Sequence, residues 1–202
     1  MRVLNRTGSN RGKKFPPCPV SPDEVRRMMA VCTKGDLGVR NRAMLLTLQR
    51  TGVRVSELVR LRPGDATDEV LRVVGGKGSK SRLVGLDPTT ADTIAQWTNR
   101  RAAQGIGPGR HLFCSLAGER LSTNGVRELL KRLARRAGIE SRVTPHQFRH
   151  SFAVHLAKSG VVRLDEIQAA LAHESLHTTQ RYLAGLGGET AIQAIRRVAW
   201  GD

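Results

Sequence analysis

Apolar residues recur at helical spacing along most of the chain, and nearly every such stretch carries its own start and stop signals. Ser21-Pro22-Asp23-Glu24 is a capping box with proline at the first helical position, and Val25, Met28, Met29 and Cys32 follow on one face. A second helix is expected over about 37–50, with Met44, Leu45 and Leu48 inward, closing before Gly52. A short helix over about 54–61 stops at Pro63-Gly64. The pattern then changes to short β-rich runs, 69–74 and 80–86, around Gly75-Gly76-Lys77-Gly78-Ser79, which reads as a hairpin. Asp87-Pro88 opens another helix to about 104, and Leu112-Phe113-Cys114 is a brief strand at best. Ser122 caps a helix that turns Val126, Leu129, Leu130, Leu133 and Ala137 to one side. Arginines and a lysine cover much of its remaining surface, and Gly138 ends it. Thr144-Pro145-His146-Gln147 is a second capping box, starting a helix to about 158. Shorter helices are expected near 164–172 and 177–183, and after Gly187-Gly188 a last helix carries Ile192, Ile195 and Val198. The sum is α+β, mainly α, with one small antiparallel sheet.

Composition narrows the class. The 202 residues suit one domain, and 39% hydrophobic with 25% charged residues reads as globular. No apolar run approaches the ~20 residues of a membrane span. Residues 1–20 read as a basic arm ended by Pro16, Pro17 and Pro19, with no apolar block for a secretory signal. An unstructured tail and an arm that tracks DNA explain it equally well. Three widely spaced cysteines fit neither a disulfide framework nor a zinc knuckle and suit a reducing cytoplasm. Lysine and arginine total 34 against 17 acids, a net charge of +17, and 27 of the 34 are arginine. Such an excess opposes compaction unless a polyanion is the partner, which puts nucleic acid ahead of an anionic membrane. Only seven residues are aromatic, too few for single-strand stacking platforms, so backbone contact with duplex DNA fits better.

Charge names a partner and not a job; the reactive residues say more. His173-Glu174-Ser175-Leu176-His177 matches the zinc-protease pattern, but it straddles two short helical segments and lacks a third ligand, so it is read as a chance match. Arg54 stands where one helix stops and another begins. His146 and Arg149 share a face in the first turn after Pro145, where helix N–H groups and dipole favour an anion. Lys77 is flanked by glycines at the hairpin tip, and His173 precedes the sole tyrosine, Tyr182, by nine residues. Together these side chains suit a phosphate in transit: arginine binds two phosphate oxygens, and cationic neighbours or a base activate a phenol. Each also has a plain reading. Arg54 pairs with Glu57 at i+3, Lys77 is a solvated tip residue with Lys80 as its rival, His146 merely sits near a helix start, His155 packs inside its helix, and Tyr182 is a half-buried core tyrosine.

The order and spacing of TGVRVSEL, GGKGSKSR, PHQFRHSFAVHL and LAHESLHTTQRY resemble the tyrosine recombinase (phage integrase) family, over about 21–200. The resemblance implies that family's catalytic-domain fold, with a small antiparallel three-stranded sheet packed among helices. It implies that Arg54 and Arg149 grip the non-bridging oxygens of a scissile phosphate, with His146 beside them. Lys77 would protonate the departing 5′-oxygen, His173 would hydrogen-bond the phosphate, and Tyr182 would form a 3′-phosphotyrosyl link. Glu57 would buttress the site. The activity implied is site-specific DNA recombination without metal, cofactor or ATP, on double-stranded DNA, by a homo-oligomer of two to four copies in a prokaryotic or phage setting at the nucleoid. A type IB topoisomerase-like relaxase and a non-catalytic DNA-binding derivative are the alternatives.

Three departures qualify the resemblance. Ala172 stands where the family usually has glycine, and Gly85 where it commonly has proline. Family members also carry a helical core-binding domain ahead of the catalytic one, whereas barely twenty residues precede the first helix here, so the usual two-domain clamp is not expected from this chain alone. The helix within 188–202 has two routes, packing on its own subunit or exchanging onto a neighbouring protomer.

Overall fold

The computed structural model describes residues 19–75 and 81–171. Seven helices and one antiparallel hairpin are found there, in the order α1 Pro22–Ala30, α2 Asp36–Thr51, α3 Val55–Leu58, a 3-10 turn Pro63–Asp65, β1 Val70–Val73, β2 Arg82–Gly85, α4 Pro88–Ala103, α5 Thr123–Arg136, α6 Pro145–Ser159 and α7 Leu164–Leu171. Helix starts follow the caps legible in the sequence. Ser21 accepts from the Glu24 N–H while Glu24 returns to the Ser21 N–H, which completes the capping box of α1. Asp87 caps α4 and Ser122 caps α5 through their side-chain oxygens. At α6 only half the expected box forms. Thr144 accepts from the Gln147 N–H, but the Gln147 side-chain oxygen takes the Thr144 hydroxyl and not its backbone.

Helix α2 is the central element, buried along most of its length and packed between α4 and α6. Its apolar residues Ala43, Met44, Leu45 and Leu48 join Val25 and Met28 of α1, Leu129, Leu130 and Leu133 of α5, and Phe148 and Phe152 of α6 in one core. Trp97 of α4 is fully buried and donates its indole N–H to the Leu112 carbonyl at 2.7 Å. Leu112 in turn donates its N–H to the Leu61 carbonyl at 2.6 Å. The 112–114 segment is thus fixed without becoming a strand, its only bridge being Cys114 to Arg120. Among the described residues the sheet has two strands and not three, in the register Val70 to Gly85, Leu71 to Val84, Arg72 to Leu83 and Val73 to Arg82.

Two local expectations change, and one departure from the family pattern is neutral. Val20, expected to close the basic arm, is buried in the core, and its carbonyl accepts from the Ser151 hydroxyl. His155 is exposed rather than packed inside α6, and it lines a groove with Val20, Phe152 and Leu156. Its helix turns Phe148, Phe152 and Ala153 inward, which rotates position 155 to the solvent side. Gly85 has an ordinary backbone conformation and open space where a Cβ would stand, so its departure from proline costs the hairpin nothing in packing. No helix among the described residues is long and apolar enough to cross a membrane.

Candidate active site

The site is built at the corner where α2 turns into α3. Helix α2 ends on Gly52 in the left-handed conformation, φ 60°. A side chain is excluded there twice over, by that φ and by space, because a Cβ would lie 2.4 Å from Cδ1 of Phe152. The reversal sets Arg54 at the N-cap of α3, with its side chain 39% exposed. Glu57, three residues on, accepts the Arg54 backbone N–H at 2.7 Å and an Nη1 hydrogen at 3.1 Å.

Arg149 reaches the same corner from the first turns of α6. It is buried, and donates from Nη1 to the Gly52 carbonyl at 2.7 Å and from Nη2 to the Leu171 carbonyl. His146, one turn earlier on α6, is exposed beside the helix N-terminus. Arg54 lies more than ninety residues before His146 and Arg149 in the chain, yet the elements that carry them meet at Gly52. Lys77, His173 and Tyr182 lie outside the described residues, as do Lys80, Ala172, the 173–177 zinc-like pattern and the C-terminal helix.

Glu57 is the electrostatic hinge. Its carboxylate is 6% exposed and accepts a two-pronged bond from Arg82 of β2, both contacts at 2.9 Å. Burial alone would raise the Glu57 carboxyl; the bonds from the Arg82 side chain and the Arg54 backbone, with both guanidinium charges, hold it below the ordinary carboxylate range. Arg82 also donates from Nε to the Ala170 carbonyl at 2.7 Å. The last carbonyls of α7, the negative end of that helix, are thus met by two guanidinium groups, Arg82 at Ala170 and Arg149 at Leu171. The expected pairing of Arg54 with Glu57 is present, and Arg82 joins it in one network.

Sequence reasoning did not single out Arg82. The signal was available in strand alternation, because residue 82 shares a face with buried Val84, so an arginine there needs a buried partner.

This corner, the hairpin and the order of the motifs define a class, and the comparisons give its name. The phage integrase family matches residues 20–186, and the chain belongs to that family. Among individual relatives, tyrosine recombinase XerD of Oceanobacillus iheyensis is 38% identical over 172 residues, which cover 81% of this chain and 56% of the relative. The crystal structure of XerA recombinase superposes with a TM-score of 0.77 at 28% identity, covering 93% of this chain and 68% of that one. XerH site-specific recombinase bound to palindromic difH substrate superposes with a TM-score of 0.71 at 25% identity, covering 91% and 54%. The chain thus spans little more than half the length of the XerD relative. Its fold is that of the tyrosine recombinase catalytic domain.

Proposed function

We propose that this chain cleaves and rejoins double-stranded DNA for site-specific recombination, using Tyr182 as nucleophile. The observation that carries the reading is the Gly52 corner. Arg54 and Arg82 both pair with the Glu57 carboxylate and Arg149 is fixed on the Gly52 carbonyl of the same corner, so the described groups carry a positive excess beside the α6 N-terminus. Buried arginines around a single acid stabilise the protein poorly by themselves and suit a bound phosphate well.

The chemistry balances without cofactor or ATP. Tyr182 loses its proton to a neighbouring base, and its oxygen attacks phosphorus. The bond from phosphorus to the 5′-oxygen breaks as the 3′-phosphotyrosyl bond forms, and Lys77 supplies the proton that the leaving oxygen takes up. Arg54, Arg149, His146 and His173 meet the charge that develops on the non-bridging oxygens. The tyrosyl ester retains the energy of the broken phosphodiester, so a 5′-hydroxyl reverses the step. If that hydroxyl belongs to another duplex, the result is recombination.

Assembly follows from symmetry. The related XerH recombinase is described with a palindromic substrate. A palindrome presents two equivalent half-sites, so we place two copies of this chain on one site and four on a recombining pair. The buried free thiols of Cys32 and Cys114 are compatible with the reducing cytoplasm where such DNA lies.

A nicked suicide duplex tests the reading. The wild-type chain should form a covalent adduct that Tyr182→Phe abolishes, and Holliday-junction formation should accompany it. Supercoil relaxation without junctions would favour the topoisomerase-like alternative, and binding without any adduct the non-catalytic one. A bridging 5′-phosphorothiolate, whose leaving group needs no proton, should rescue Lys77→Ala; no rescue moves the acid to Lys80 or His173.

A further inference from the structure

We infer that Arg82 is a positioning residue for strand cleavage: it occupies both oxygens of Glu57 and the carbonyl end of α7 at once, which keeps Arg54 a phosphate ligand and not the sole counter-ion of Glu57. The inference rests on the strand-transfer reading above.

The geometry that supports it is unusual for a hairpin arginine. The Arg82 side chain is 7% exposed, its two terminal nitrogens each lie 2.9 Å from a Glu57 oxygen, and Nε lies 2.7 Å from the Ala170 carbonyl. All three directions of the fork are committed, and they join three elements: α3, which carries Arg54, β2, which leads from the hairpin of Lys77, and α7, which ends two residues before His173. A lysine would offer the same charge as a single point and could not span these acceptors.

Glu57 is buried, and an ion so placed takes whatever cation lies within reach. With Arg82 in place, Glu57 has a bidentate partner, and its contact to the Arg54 guanidinium is a single bond at 3.1 Å. Without Arg82, the carboxylate would draw the Arg54 fork inward, and the corner would lose one positive charge and one phosphate ligand together.

The test uses the full chain and five variants: Arg82→Gln, Arg82→Lys, Glu57→Gln, the Arg82→Gln/Glu57→Gln double, and Arg72→Gln as control. Arg72 lies on the neighbouring strand, is 62% exposed on its side chain and pairs with Asp65, so its loss removes the same charge without touching the corner. Adduct formation on a nicked duplex is followed in single turnover, at saturating protein and at a temperature where each variant is folded by circular dichroism. Arg82→Gln should slow the adduct by about 30-fold or more, with duplex Kd within about threefold. Arg82→Lys should recover little. The double variant should be faster than Arg82→Gln alone by about fivefold, because neutralising Glu57 releases Arg54. Arg72→Gln should stay within about twofold.

Cleavage by Arg82→Gln within about threefold of wild type overturns the proposal, as does a double variant no faster than the single one. A wild-type chain that forms no adduct refutes the strand-transfer reading instead. Arg82 is then judged by titrating inorganic phosphate against the arginine Nε–H resonances. In that arm, Arg54 must respond in the wild type and lose its response in Arg82→Gln, and an unchanged response overturns the positioning role.

Discussion

Gly52 is where backbone geometry and site chemistry meet, so Gly52→Ala is the most informative single change. Two costs add. At φ 60° an L side chain costs about 1–2 kcal/mol. The new methyl would also stand 2.4 Å from Cδ1 of Phe152 and 3.1 Å from Cδ2 of Leu171, and overpacking of that kind costs about 1–3 kcal/mol. A total near 3 kcal/mol corresponds to a fall in Tm of about 6–12 °C for a domain of this size. The displaced groups are not neutral bystanders. Phe152 is one turn from Arg149, and the carbonyls of Gly52 and Leu171 are the two acceptors that hold its guanidinium. Cleavage of the nicked duplex at a permissive temperature should therefore fall by at least about tenfold, since an ångström of misplacement is costly in a preorganised site. A double variant separates the two costs. Phe152→Leu should relieve the clash in the Gly52→Ala background but leave the φ strain, so the pair should be more stable than the sum of the single losses predicts. Thermal melts of the four proteins give the cycle. A Gly52→Ala protein within about 0.5 kcal/mol of wild type would refute the reasoning, because neither φ nor contact could then be as described.

Other outcomes follow from the same network. Arg149→Lys, with a single ammonium in place of a fork spanning two carbonyls, should lower single-turnover cleavage about 100-fold or more while duplex binding in a gel shift changes little. The Glu57 carboxyl is held below its unfolded value of about 4.3, so its stabilisation is complete above that value and disappears as pH falls through the folded one. Urea midpoints of the wild type should thus drop below about pH 4 more steeply than those of Glu57→Gln. EDTA should change cleavage by less than about twofold, because the proposed mechanism assigns the charge stabilisation to side chains. Duplex affinity should fall steeply with salt, with a log–log slope of about −4 or steeper; a flat response would mean that the charge of +17 is not spent on DNA.

The helices were legible because their signals are local. Ser21, Asp87, Ser122 and Thr144 each cap the helix expected of them, and Gly52 ends α2 where the apolar period stops. The sheet was less legible, since pairing partners are set by tertiary contacts: Leu112-Phe113-Cys114 has strand composition, yet its hydrogen bonds go to Trp97 and Leu61. His155 was misjudged because helical period alone does not say which face of α6 meets α2. The site was legible as motifs and not as a network. Arg54, His146 and Arg149 stood out by sequence context, whereas strand alternation could only put Arg82 on the buried face with Val84, and no spacing rule brings a hairpin residue to the Ala170 carbonyl, 88 positions away.

The choice of acceptors explains how so many cations share one corner without losing their use. Arg149 donates to two carbonyl oxygens, contacts that orient a guanidinium without themselves cancelling its charge. A carboxylate in either place would hold it as firmly and neutralise it. Among the described residues the acid at this corner is Glu57, and Arg82 and Arg54 divide it. Among the described residues, three guanidinium groups and one carboxylate sum to two positive charges. A phosphodiester carries one negative charge, and the phosphorane formed when a phenolate attacks it carries two. On the proposed mechanism the cluster is better matched in charge to the transition state than to the bound substrate, which is the condition for raising a rate rather than an affinity. On the same logic, the positioning role proposed for Arg82 carries a charge term as well: removing it takes away one of the two charges by which the corner would prefer the phosphorane.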